Sequence, residues 1–186
     1  MNPAFILTQI FYWLALATWF GGVMFVALAA PIIFRTIRES DPTLPMVLSV
    51  NLEGQHSTLL AGSVVANLLV SLMRIEGICA GVLVVCMISQ WVMLFHLQLG
   101  LLILRTVLLL IAIAIWIYDW QVMSPRIFKH RQEYIDHADE PEIANAAKEK
   151  FDRYHRDSIT VMMAELAALL GLVLFSAGIS TAQYLI

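Results

Sequence analysis

The amino-acid sequence predicts an all-α integral membrane four-helix bundle with up-down-up-down topology, in which helices 2 and 4 extend into the cytoplasm. The chain is 60% hydrophobic and 13% charged, whereas a soluble domain is about a quarter charged. Between Arg38 and Arg126 the basic residues are Arg74 and Arg105 alone. Long apolar stretches between short polar segments are typical of membrane spans. The net charge of −3 gives no indication of a nucleic-acid partner.

The first predicted span covers about residues 8–34 and is followed by Arg35 and Arg38. No basic residue precedes it, and it is longer than the apolar region of a signal peptide. We therefore expect it to remain in the protein as a transmembrane helix.

The second predicted span covers about residues 76–95, and the apolar segment 58–73 precedes it. That segment is either a fifth, short span or an extension of helix 2. With four spans, all basic residues except Arg105 lie on one side of the membrane, whereas a fifth span divides them. The positive-inside rule favours four spans, with both termini outside or in the periplasm. We therefore predict a multi-pass protein of the cell membrane, with a bacterial inner membrane as the expected location.

The third predicted span covers about residues 99–120, and residues 96–98 connect it tightly to the second. The fourth span covers about 158–180. Together the four spans form one polytopic membrane domain over residues 1–186, without internal repeats.

The polar segment 121–157 lies between the third and fourth spans. Pro141 is suited to the first turn of a helix, and no Gly or Pro follows it until Gly171. We therefore predict a cytoplasmic helix over about 141–157 that continues into the fourth span. Small residues such as Gly77 and Gly81 indicate close helix packing.

A histidine and a glutamate mark the start of the fourth span. Phe151, His155, Ser158, Met162 and Glu165 follow one another at helical spacing, which predicts one helix face. A carboxylate about two turns into a membrane must be paired, protonated or hydrated. We therefore predict that His155 and Glu165 face the bundle interior. The candidate intramembrane polar cluster comprises Arg74, Glu76, Asp119, His155 and Glu165; the alternative is ordinary interfacial charge.

A second candidate polar pair is formed by Gln90 and Arg105, which fall at similar predicted depths. Arg105 either extends to the lipid headgroups or forms hydrogen bonds with Gln90 and Ser89. We predict no catalytic residue, metal site or cofactor. The cysteines and methionines lack ligand spacing for copper, and two inward histidines at one depth, which bis-histidine haem ligation needs, are missing.

Four segments resemble the transmembrane-protein-205-like family, a membrane domain of unknown function that is similar to copper-resistance-D-like four-helix proteins. These are "TWFGGVMFVALAAPIIFRTI", "AGSVVANLLVSLMRIEG", "SPRI" and "FDRYHRDS", which occur in this order along most of the chain. Met162 stands where the family usually has a polar residue, often Asn. The first span lacks the histidine of the redox members, and the first loop is longer than usual. The resemblance therefore implies fold and topology rather than a chemical activity.

Three functions are compatible with these patterns. The first is a non-enzymatic packing, assembly or partner-binding module whose partners are the lipid bilayer and a second protein or another copy of the chain. The alternative is a carrier or permeation path for a small ion or metal that uses the polar cluster. A haem- or redox-cofactor-dependent membrane enzyme has the least support.

Overall fold

The computed structural model describes residues 3–40, 56–94 and 99–182, and every element in this part of the chain is helical. The elements in order are α1 (Pro3–Glu39), α2 (His56–Leu94), α3 (Leu99–Tyr118), a π-helical turn (Asp119–Met123), α4 (Ser124–Asp136) and α5 (Pro141–Ala182).

Four helical stretches in the described ranges are long and apolar enough to cross a membrane. The predicted all-α four-helix bundle is confirmed, and the chain is an integral, multi-pass membrane protein. Segment 58–73 is part of the single helix α2. Helix α5 continues from the polar segment into the last span without a break. The predicted connection at 96–98 lies outside the described residues.

Helix α4 is the element that the sequence patterns do not predict. The helix predicted in segment 121–157 begins at Pro141, but a second helix covers Ser124–Asp136. Pro125 lies in its first turn, where the missing N–H of a proline costs nothing. The π-helical turn at Asp119–Met123 joins α3 to α4, so no polar loop separates them. A proline after an apolar span therefore marks the beginning of a helix here.

The chain divides into two compact units. Unit 1 comprises Met1–Val23, Met73–Ile117 and Met162–Ile186, and unit 2 comprises Met24–Leu72 and Tyr118–Val161. Helices α1, α2 and α5 contribute residues to both units. Helix α3 belongs to unit 1 except for its last residue, Tyr118.

The core of unit 1 is built from one buried stripe on each of its four helices. In α1 the buried residues include Tyr12, Leu16, Trp19 and Val23, which follow one another at intervals of three and four. This spacing keeps side chains on one helix face. Equivalent stripes occupy α2, α3 and α5, with Leu83, Leu102, Leu169 and Leu172 fully buried. Their outward faces are apolar and exposed, as a lipid-facing surface requires.

Helix α2 approaches α3 closely at Gly77. A Cβ atom at this position would lie 2.8 Å from Cζ2 of Trp116, which is too short for van der Waals contact. The Trp116 indole N–H donates a hydrogen bond to the carbonyl of Met73 (3.0 Å). A glycine is therefore required where the flat face of α2 receives the indole ring.

Unit 2 has its own core, in which Leu59 packs with Tyr134, Ala138, Ala144 and Ala147. Arg131 connects α4 to the beginning of α2. Its Nη2 donates to the carbonyl of Leu59 (3.0 Å) and to the hydroxyl of Ser63 (2.6 Å). The polar bonds and the alanine-rich contacts hold the first turns of α2 against α4.

Candidate functional site

A buried hydrogen bond joins α1 to α5 in unit 1. The indole N–H of Trp19 donates to Oε1 of Glu165 over 2.8 Å. Trp19 is fully buried and Glu165 is 5% exposed. A carboxylate in a membrane bundle needs such a donor, because desolvation without compensation costs several kcal/mol. The hydrogen bond from Trp19 thus offsets part of the desolvation cost of burying Glu165.

A second buried carboxylate, that of Glu76, lies at a similar level of unit 1. Ser176 of α5 is hydrogen-bonded to Arg105 of α3. Glu165 lies eleven residues before Ser176, and Trp116 lies eleven residues after Arg105. Since these helices run antiparallel, equal steps of about 1.5 Å per residue keep the two at one level. Trp116 contacts α2 at Met73 and Gly77, beside Glu76.

Glu76 is 4% exposed. We call Trp19, Glu76 and Glu165 the glutamate layer. Both carboxylates of this layer are withdrawn from solvent in a unit that is otherwise mainly apolar.

A second polar layer lies around Arg105, which is 1% exposed. Its Nε donates to Oγ of Ser176 over 3.0 Å. Its Cζ lies 4.7 Å from the centroid of the Tyr12 ring, a distance at which a cation and an aromatic face attract each other. Tyr12 and Ser176 are themselves hydrogen-bonded over 2.7 Å. These contacts bring α1, α3 and α5 together at one level.

The hydroxyl of Ser176 uses all of its hydrogen-bonding capacity in this arrangement. It donates to the carbonyl of Leu172, one turn earlier in α5. It therefore accepts both from Tyr12 and from Arg105, which fills the two acceptor positions of a hydroxyl group. Tyr12 is therefore the donor in its hydrogen bond with Ser176.

Gln90 belongs to the same level. The indole N–H of Trp91 donates to Oγ1 of Thr106 over 2.8 Å, which fixes the register of α2 against α3. Gln90 directly precedes Trp91, and Arg105 directly precedes Thr106. Each therefore lies about 1.5 Å of helix rise from the residue that makes this bond. Both are buried, with Gln90 at 0% exposure. We call Tyr12, Gln90, Arg105 and Ser176 the arginine layer.

The structure divides the five residues of the predicted polar cluster. Glu76 and Glu165 are buried in unit 1, whereas Arg74 is exposed there. His155 is exposed in unit 2, where its ring stacks on Phe151 with centroids 5.8 Å apart. Asp119 is half-buried in the π-helical turn of unit 2. Glu76 and Glu165 are therefore the members that share one level of one unit.

The prediction that His155 faces the bundle interior is wrong, and helix geometry gives the reason. At 3.6 residues per turn, ten residues separate His155 from Glu165 by nearly three turns, which leaves an offset of about 80°. The sequence stripe from Phe151 to Glu165 is therefore wider than the buried face. For Glu165 the inward orientation is found, and Trp19, which the sequence did not indicate as a partner, donates a hydrogen bond to it.

Arg105 follows neither of its two predicted alternatives. It is buried rather than extended to headgroups, and it bonds Ser176 rather than Gln90 or Ser89. Ser89 instead pairs with Thr8 of α1 over 3.2 Å.

Three residues of these layers were not recognised from the sequence as site residues: Tyr12, Trp19 and Ser176. A signal for two of them is present, since Tyr12 and Trp19 lie on one regular stripe of α1. A buried Tyr or Trp usually finds a partner for its polar atom. For Ser176 the sequence offers no comparable signal, because a serine in a membrane helix can bond its own backbone.

Among the described residues there is no group of three or more His, Cys, Asp or Glu side chains positioned to hold a metal ion. Cys79 and Cys86 are buried free thiols of α2. The side chains of the two layers offer charges and hydrogen bonds. No protein-family model, curated protein or solved structure matches this chain.

Proposed function

We propose that this membrane protein is a carrier or permeation path for a small ion, which passes through the interior of unit 1. The observation that supports the proposal is the burial of ionisable side chains at two levels of one membrane-spanning unit. Arg105 is 1%, Glu76 4% and Glu165 5% exposed.

Energetics favour this function over helix packing alone. A charged side chain at the centre of a bilayer costs at least about 2.5 to 3.5 kcal/mol, whereas small and apolar residues pack membrane helices without that cost. Ser176 and Glu165 are eleven residues apart in α5, or about 16 Å. Polar groups at both levels shorten the apolar distance that an ion crosses between one polar contact and the next.

The proposed location is the cell membrane, and a bacterial inner membrane in particular, with both termini outside. It rests on the one-sided placement of the basic residues along the sequence. We also propose membership of the transmembrane-protein-205-like family, on the four segments that resemble it.

Ion flux through reconstituted protein tests the carrier function. Purified protein is inserted into phosphatidylcholine liposomes, and the release of entrapped potassium, chloride, formate or protons is followed with electrodes and a pH dye. We expect at least one of these ions to leave faster than from protein-free liposomes. Glu165→Gln keeps an acceptor for Trp19 but removes the charge, and we expect it to change the release rate by about tenfold, equivalent to 1.4 kcal/mol of barrier. Release becomes slower for potassium or protons and faster for chloride or formate.

Glu149→Gln is the matched control, because Glu149 is an exposed residue of the same helix. Its release rate should equal that of the wild type. Rates in wild-type liposomes that match those of protein-free liposomes for all four ions would overturn the carrier proposal.

A second candidate function is an assembly module, and the environment of Gly81 favours it. A Cβ atom at Gly81 would meet nothing within 4 Å, whereas one at Gly77 would collide with Trp116. Gly81 is exposed, so this small residue leaves room for a helix from outside the chain. If the chain self-associates there, Gly81→Leu should convert a dimer to a monomer in light scattering. An unchanged molar mass would contradict this function.

A further inference from the structure

We propose that the arginine layer is a binding site for one small monovalent anion, held by Arg105 and Gln90. The inference rests on the proposed function in that it names the ion class that this interior would accept. The observation that supports it is a set of buried polar atoms without a hydrogen-bond partner among the described residues.

The first argument is charge. Arg105 has no ion pair with any described residue: its contacts are Ser176 Oγ and the Tyr12 ring. A guanidinium stays protonated in proteins, and a buried charge without a counterion is strongly destabilising. A cation–π contact contributes about 2 kcal/mol when desolvated, which leaves most of that cost. A single negative charge would neutralise the layer.

The second argument is hydrogen bonding. Nη1 of Arg105 is buried and has no hydrogen-bond partner among the described residues. Ser176 is no candidate to satisfy it, because its hydroxyl already donates once and accepts twice. The N–H groups of Nη1 are therefore available to an anion.

The third argument is Gln90, which is fully buried with Nε2 and Oε1 both unpaired within the described part of the chain. A buried polar atom without a partner costs about 1 to 3 kcal/mol, and this amide has two. The Trp91–Thr106 bond places it at the level of Arg105. The amide N–H groups of Gln90 and the Nη1 N–H groups of Arg105 are therefore donors at one level of unit 1 that are unpaired among the described residues.

Size and charge of the ligand follow from the surroundings. One turn before Arg105 and one turn before Ser176 lie Leu102 and Leu172, both fully buried. An apolar surrounding of this kind disfavours a large, strongly hydrated ion, and one guanidinium balances one negative charge. Halide ions and small carboxylates share these properties, and the uncompensated positive charge of Arg105 disfavours a cation.

The test measures binding in neutral detergent, with sodium gluconate as the background salt. Radiolabelled formate and chloride are the probes in equilibrium dialysis, and the thermal unfolding temperature is recorded in parallel. We expect at least one of the two probes to bind at one ion per chain and to raise the unfolding temperature. Sulfate, which is divalent, should not bind.

Gln90→Met is the decisive variant, because it removes the amide donors and leaves a side chain of similar length. Since it also removes two unsatisfied atoms, we expect the protein to fold in gluconate at least as stably as the wild type. Its affinity for the probe should fall about tenfold, the worth of one hydrogen bond to a charged group. Gln132→Met, at an exposed position of α4, should bind as the wild type does.

Each of the following results would overturn the site: no binding of either probe, equal binding of sulfate, or unchanged affinity in Gln90→Met. Stabilisation that requires added phosphatidylglycerol would assign the layer to a lipid headgroup and also overturn it. Because binding is measured without a membrane, the two proposals fail separately. Binding without flux removes the carrier function, and flux without anion binding removes the arginine-layer site.

Discussion

At the scale of single residues, the interior of unit 1 depends on polar pairs between helices that are far apart in the sequence. Trp19 and Glu165 are separated by 146 positions, and Tyr12 and Ser176 by 164. The inward orientation of Glu165 was predictable from periodicity along its own helix. Its partner was not, because a stripe on one helix carries no information about the register of another.

The Trp19–Glu165 bond can be tested by substituting either partner. Glu165→Gln should be tolerated in the fold, since an amide oxygen also accepts the indole N–H. Glu165→Leu leaves that N–H unsatisfied, and Trp19→Phe removes one donor from Glu165. We expect each of these two to lower the free energy of unfolding by about 1 to 3 kcal/mol, measured by denaturant titration in detergent micelles.

Trp13→Phe serves as the comparison for Trp19→Phe, because Trp13 makes an edge contact with Tyr12 and no hydrogen bond among the described residues. Equal losses for the two tryptophan variants would mean that ring packing, rather than the hydrogen bond, accounts for the effect.

Gly77 and Gly81 provide a second test at this scale, because they differ only in what surrounds them. Gly77→Ala places a methyl group 2.8 Å from Trp116, and overpacking of this kind costs about 1 to 3 kcal/mol. Gly81→Ala meets nothing within 4 Å and should stabilise the helix by up to about 1 kcal/mol. Thermal unfolding of both variants measures the difference. A loss of stability in Gly81→Ala as large as in Gly77→Ala would contradict the close contact at Gly77 as the cause.

At the scale of elements, hydropathy and helix signals predicted most of the secondary structure but not α4. The apolar lengths gave the four spans, and the absence of breakers after Pro141 gave the continuous α5. Helix α4 is polar, and its first turn contains Pro125. Its position depends on contacts with Leu59 and Ser63 of α2. Such tertiary contacts leave no periodic signal in the local sequence.

Arg131 should therefore control how firmly α4 holds the beginning of α2. Arg131→Ala leaves the carbonyl of Leu59 and the hydroxyl of Ser63 without this donor. We expect amide hydrogen exchange in α4 and in residues 56–63 to become about tenfold faster, as the loss of a charged hydrogen bond implies. Lys129→Ala is the control, since Lys129 is 70% exposed. Identical exchange in both variants would show that the alanine-rich core suffices.

At the scale of the whole molecule, the number of spans and the helical class were available from composition and charge placement. The orientation in the membrane is a prediction that rests on the same basic residues. In a background in which Cys79 and Cys86 are replaced, a single cysteine at position 137 should react with a membrane-impermeant maleimide only after the membrane is opened. A cysteine at position 183 should react in intact cells. Labelling of position 137 from outside would reverse the topology.

The saturated hydroxyl of Ser176 has a consequence for how this interior can change during evolution. One oxygen accepts from Tyr12 and Arg105 and donates to Leu172, so an alanine there strands two donors on two other helices. A threonine keeps all three bonds. Positions 12, 105 and 176 should therefore vary together, and a chain of the same fold that retains the arginine should retain a hydroxyl at position 176.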